Sequence, residues 1–130
     1  VGGRILLVED EDMVRAVAER ALVRAGHDVT ACPGGEEGLE AIESGEVFDL
    51  VVSDVVMPGM DGPAMVRAIR GRFPEIPVLF MSGYAEEQLR KDIDIPDMHF
   101  IAKPFSVADI SDKVGTVMRL ARKARAEAQG

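Results

Sequence analysis

The chain has no tryptophan, one tyrosine and a single cysteine in 130 residues. With Cys32 alone, no intrachain disulfide can form, and a reducing, cytoplasmic setting is expected. Basic residues are outnumbered: 15 Lys and Arg stand against 23 Asp and Glu, for a net charge of −8. That balance argues against nucleic-acid binding, which calls for a basic stripe. No apolar run approaches the ~18 residues that span a membrane, so no membrane contact by this domain is expected. Neither a P-loop nor a Gly-x-Gly-x-x-Gly motif occurs, which argues against nucleotide binding. An initiator Met is also missing, and the abrupt Gly2-Gly3 start fits a domain cut from a longer chain. What is present is 47% hydrophobic and 29% charged, the balance of an ordinary globular domain able to bury a core.

Apolar periodicity divides the chain into alternating strands and helices. Ile5-Leu6-Leu7-Val8 is an unbroken apolar run, as in a central parallel strand. From Asp12 the period becomes helical through Val14, Val17, Ala18, Ala21, Leu22 and Ala25, and Gly26 suits a left-handed C-cap. Val29–Cys32 is short and more polar, as an edge strand would be, and Pro33-Gly34-Gly35 leads to a helix with Leu39, Ala41 and Ile42. Leu50–Ser53 forms the third strand, and a helix from Pro63 uses Met65, Ala68 and Ile69 on its inner face. Val78–Met81 is the fourth strand, Ala85–Lys91 a weak helix and Phe100–Ala102 the fifth strand. Ser106 caps the last helix, with Asp109 in the capping-box position and Val107, Ile110, Val114, Val117, Met118 and Ala121 as its buried stripe. Five strands alternating with five helices call for a doubly wound parallel sheet. The order 2-1-3-4-5 puts the least apolar strand at an edge. Residues 1–121 make one domain in this reading, and 122–130 form a basic, alanine-rich tail.

The stretch Leu50 to Gly62 organises the rest. Its apolar run ends on Asp54, just before the turn signals Pro58, Gly59 and Gly62. Asp54 thus stands where a buried strand leaves the core, the rim at which open α/β sheets hold ligands. The order 2-1-3-4-5 brings Glu9 and Asp10 beside it. Each carboxylate pair at ~4 Å would cost about 4 kcal/mol at an effective dielectric near 20. Protonation or a bound cation relieves that repulsion, and an all-oxygen donor set suits a hard divalent ion such as Mg²⁺. The fourth and fifth strands deliver Ser82 and Lys103 to the same rim. A hydroxyl and an ammonium beside a carboxylate nucleophile make a clamp for a phosphoryl group, with Asp54 forming an acyl phosphate. The alternatives are a turn serine, a surface lysine and an acidic helix N-terminus at Glu9 to Asp12.

Four blocks together resemble the receiver domains of two-component signalling: Val8 to Asp12, Asp54 to Gly62, Met81 to Tyr84, and Lys103-Pro104-Phe105. The resemblance runs from about Arg4 to Met118 and implies a CheY-like, flavodoxin-like (βα)5 sandwich. It implies that Asp54 accepts phosphate from a phosphohistidine of a histidine kinase or histidine phosphotransfer partner. It also implies Mg²⁺ held by Glu9, Asp10, Asp54 and the Val56 carbonyl. The phosphoryl group would be held by Ser82, Lys103 and the N–H groups of Val56 and Gly83. By the same resemblance the Lys103–Pro104 peptide is cis, and Ser82 and Phe100 form a switch with Tyr84 beside it. Phe100 replaces the commoner Tyr, and a half-buried edge aromatic is the alternative reading. Such a domain catalyses its own phosphorylation and dephosphorylation. The blocks are most similar to the C-terminal receiver of CckA-type hybrid histidine kinases, whose parent chain could be membrane-anchored. A stand-alone response regulator shares these blocks.

Two rival readings bear on the same residues. A phosphatase of the haloacid dehalogenase type needs an acid two residues after its nucleophile, where this chain has Val56. A pseudo-receiver that binds partners without phosphate would not need the complete Glu9, Asp10, Asp54, Ser82 and Lys103 set. His27 and His99 lie outside metal-ligand spacing and read as loop or edge residues.

Overall fold

The structure, a computed structural model, describes residues 2–129. Five strands alternate with five helices: β1 (Arg4–Val8), α1 (Asp12–Arg24), β2 (Asp28–Cys32), α2 (Gly35–Glu43), β3 (Leu50–Asp54), α3 (Gly62–Arg72), β4 (Val78–Ser82), α4 (Glu86–Asp92), β5 (Met98–Ala102) and α5 (Val107–Gln129). The strands form one parallel sheet in the order β2-β1-β3-β4-β5. The fold expected from the pattern is the one observed.

Because side chains alternate along a strand, the central strands feed two cores. Leu6, Val8, Val51, Val78 and Phe80 pack with Met65, Val66 and Ile69 of α3 on one face. Ile5, Leu7, Leu50, Val52, Leu79 and Met81 pack on the other with Ala18, Ala21 and Leu22 of α1 and with Ile110, Val114 and Val117 of α5. β3 is buried along its whole length, and each of its large apolar side chains stabilises the fold by roughly 1.5–3 kcal/mol. That anchorage fixes the strand end where Asp54 stands.

The helix faces are narrower than periodicity alone predicts. Val17, Ala25, Ala68 and Val107 are exposed, whereas Val66 is buried. Each helix lies across a twisted sheet, so only its innermost stripe loses contact with water, and residues at the stripe's margin stay wet. β5 begins at Met98, two residues earlier than expected, because Met98 pairs with Val78 and His99 with Leu79. His99 is therefore a strand residue, while His27 sits in the α1–β2 turn, where Nδ1 accepts the Gly3 N–H at 3.1 Å. α5 runs unbroken past residue 121 to Gln129. Its start has the expected reciprocal cap: Asp109 N–H donates to Ser106 Oγ and Ser106 N–H to Asp109 Oδ2, both at 3.0 Å.

At the pole opposite Asp54, Arg70 ties three segments together. Its guanidinium donates to the carbonyls of Ile76, Pro96 and Asp97. Asp97 has a positive φ of 54°, and the bond to its carbonyl helps hold that turn.

Candidate functional site

Glu9 and Asp10 follow β1, Asp54 ends β3, Ser82 ends β4 and Lys103 follows β5. Parallel pairing brings all these ends to one rim, with Ser53 beside Val8, Asp54 beside Met81 and Ser82 beside Ala102. One carboxylate oxygen from each of Glu9, Asp10 and Asp54 lies within 4.8 Å of the other two. Glu9 is fully buried and Asp54 nearly so, while Asp10 is the most exposed of the three. The Lys103 ammonium enters from the side, 2.6 Å from Glu9 Oε1 and 3.3 Å from Asp54 Oδ2.

Glu9 is held on both oxygens. Oε2 accepts the Glu11 N–H at 3.1 Å. Oε1 makes the close ion contact with Lys103 without an aligned hydrogen bond. Burial raises the Glu9 carboxyl to about 7, and the Asp54 charge adds to the rise; the Lys103 contact only partly offsets them. Asp54 is also raised, chiefly by burial, with Asp10 contributing and Lys103 opposing. Burial alone would lower Lys103, but its two carboxylate partners outweigh that and hold it above its usual value. Three acids and one ammonium thus share a site that disfavours the fully ionised state.

The backbone around Asp54 is tightly built. Val55 N–H donates to the Met81 carbonyl at 3.3 Å and Gly62 N–H to the Val55 carbonyl at 2.9 Å. A Cβ at Gly62 would lie 2.1 Å from the Asp54 carbonyl oxygen, so only glycine lets α3 begin this close to the strand end. Asp61 then caps α3, accepting the Ala64 N–H at 2.8 Å.

On the β4 side, Ser82 Oγ accepts the Tyr84 N–H at 3.0 Å, and Gly83 and the Tyr84 ring are exposed. Lys103 N–H donates to the Ser82 carbonyl at 2.8 Å, and the Lys103–Pro104 peptide is cis. Phe100 is buried rather than half-buried. Its ring stacks on Phe80 at 6.0 Å, and the Arg90 guanidinium covers it at 4.9 Å. Glu86 pairs with Arg90 at 2.9 Å. A cavity of about 60 Å³ lined by Ser82, Tyr84, Leu89 and Phe100 separates this cluster from the rim.

Two contributors escape a sequence reading. Arg15 donates to the Glu9 carbonyl at 2.8 Å and to Asp12 Oδ1 at 2.7 Å, fastening the acidic turn from within α1. The Asp12–Arg15 spacing of three was its only signal. Glu36 accepts the Met60 N–H at 2.7 Å across 24 residues of chain, a contact with no local signal.

The family model described as "Response regulator receiver domain" matches residues 5–115. The chain belongs to the response regulator receiver family. Over 113 residues this receiver is 45% identical to the sensor kinase CckA of Brucella abortus, covering 85% of this chain but 12% of that protein. It is 35% identical over 112 residues to the response regulator receiver protein CpdR of the same organism, covering 85% of this chain and 92% of that protein. Among solved structures, the receiver domain of the hybrid histidine kinase CckA superposes with a TM-score of 0.76 at 38% identity, over 89% of this chain and 99% of that one. The chemotaxis protein CheY4 of Vibrio cholerae gives a TM-score of 0.81 at 26% identity, over 90% and 99% respectively. The receiver thus spans about one-eighth of CckA and nearly all of CpdR.

Proposed function

We propose that this receiver is the phosphoacceptor of a phosphorelay and takes a phosphoryl group onto Asp54. The observation that carries the proposal is the meeting of Asp54, nearly buried at the end of the central strand, with Lys103 and with the carboxylates of Glu9 and Asp10. An Asp54 carboxylate oxygen attacks phosphorus, the phosphorus–nitrogen bond of phosphohistidine breaks, and the imidazole leaves with its electron pair. Lys103 neutralises charge on the transferring oxygens, Ser82 supplies a hydroxyl, and the N–H groups of Val56 and Gly83 point donors at the phosphoryl group. These are interactions of positioning and charge, which phosphoryl transfer mainly needs.

The donor set fits Mg²⁺: three converging carboxylates with oxygen ligands only, balanced by a single ammonium. Glu9, Asp10, Asp54 and the Val56 carbonyl would hold it. When bound, it supplies charge neutralisation at the acceptor oxygens. Ser82, Tyr84 and Phe100 form the switch by which phosphorylation changes the outer surface of α4, β5 and α5. Residues 1–121 constitute the domain, with 122–130 a basic, alanine-rich tail that is helical as far as Gln129.

Met13, Val56, Tyr84 and Val107 are exposed apolar side chains, each within four residues of a site residue in the chain. Exposed apolar groups on the segments that carry an acidic site suit a protein partner that presents a histidine, either a histidine kinase domain or a histidine phosphotransfer protein. No helix among the described residues is long and apolar enough to cross a membrane, consistent with a domain that works in the cytoplasm. The higher identity to CckA than to CpdR favours origin in a hybrid histidine kinase over a stand-alone regulator.

Incubation with acetyl phosphate and Mg²⁺, read by intact mass, tests the proposal. One added phosphoryl group is expected in the wild type and none in Asp54→Ala. An unchanged wild-type mass would favour a phosphate-independent adaptor.

A further inference from the structure

The loop between Asp54 and α3 is fastened at three points. Val55 N–H and Gly62 N–H close its base against Met81 and Val55. Its outer arm is held from a different element, where Glu36 in the first turn of α2 accepts the Met60 N–H at 2.7 Å. The two segments meet closely, with a glycine on each side of the crossing. A Cβ at Gly35 would lie 2.6 Å from the Met60 carbonyl oxygen, and one at Gly59 would lie 2.8 Å from Glu36 Oε1. Gly59 itself has a φ of +73°, a conformation that L side chains rarely adopt. Between the base and this tether run Val56, Met57 and Pro58, with Val56 exposed to solvent.

We infer that Glu36 is a positioning residue for the acceptor site. By holding Met60 it fixes the arm that carries Val56, and so aims the backbone groups of Val56 at the rim. This rests on the phosphoacceptor reading, which assigns those groups to the metal and the phosphoryl group; Glu36 touches neither. A charge-assisted bond to a backbone N–H is among the stronger hydrogen bonds. It adds a second restraint to a glycine-containing arm whose other anchor is Met57, buried in the core. Glu36 is exposed, so its replacement leaves both cores intact.

Wild type, Glu36→Ala and Glu36→Gln are compared in two measurements. Amide hydrogen exchange of Met60 without metal should be about tenfold faster in Glu36→Ala and within about twofold of wild type in Glu36→Gln, which keeps an acceptor oxygen. Acyl-phosphate formation from acetyl phosphate at saturating Mg²⁺ should slow about fivefold in Glu36→Ala and recover in Glu36→Gln. Wild-type exchange and rate in Glu36→Ala would overturn the inference, as would equal damage in both variants. A wild type that acquires no phosphate while the exchange contrast persists would sink the phosphoacceptor reading and leave the tether supported.

Discussion

Magnesium should bind this receiver more tightly as pH rises through neutrality, because Glu9 must lose a proton to receive it. Burial and the neighbouring Asp54 raise the Glu9 carboxyl from 4.5 to about 7 in the metal-free protein. The ionised fraction then goes from about one-tenth at pH 6 to about nine-tenths at pH 8, so the dissociation constant should fall about tenfold over that range. Asp54, also raised, contributes in the same direction. The stability of the metal-free protein follows with a definite sign. A carboxyl whose folded pKa lies above its unfolded value stabilises the fold below the unfolded value, and that contribution is lost as pH climbs to the folded one. For Glu9 the loss falls between about 4.5 and 7 and amounts to ~3 kcal/mol. Lys103, held above its usual value, remains charged throughout and does not counter the trend. Calorimetric titration with Mg²⁺ at pH 6, 7 and 8, in buffers of different ionisation enthalpy, measures both affinity and proton release. Glu9 alone should release about half a proton per ion at pH 7. Constant affinity with no proton release would refute the coupling and show that Glu9 is ionised before the metal arrives.

Two further outcomes follow from the rim. At a pH high enough to keep Glu9 ionised, Lys103→Met should leave Mg²⁺ binding intact or tighter, since a competing positive charge is removed, yet slow acyl-phosphate formation by about tenfold or more. Parallel loss of both activities would refute the separate roles. Gly62→Ala should destabilise the protein by about 1–3 kcal/mol, because its Cβ would meet the Asp54 carbonyl at 2.1 Å. Gly71→Ala, with nothing within 4 Å, should be neutral or slightly stabilising. Equal melting temperatures for the two variants would count against the close approach at Gly62.

The strand order and the convergence of Glu9, Asp10, Asp54 and Lys103 were legible because both depend on local patterns repeated along the chain. An apolar run ending in a polar residue marks a strand end, and a parallel sheet gathers such ends at one rim. The margins of helix faces were not legible: Val17 and Val107 fit the apolar period but stand at the edge of the buried stripe and remain exposed. The cover over Phe100 was hidden too, since Arg90 reads as an ordinary exposed base on a short helix. Its contact depends on how α4 is tilted over β5, which no spacing encodes. Glu36 and Met60 meet only because α2 and α3 pack side by side, with glycines at the crossing.

The acids come from the first and third strands, whereas the lysine follows the last. During synthesis, the charge trap therefore exists only after nearly the whole sheet has left the ribosome and closed. A truncated or half-assembled copy holds the aspartate without its counter-ion, and so competes poorly for a phosphoryl group meant for finished molecules. Chemical competence here doubles as a certificate of complete folding.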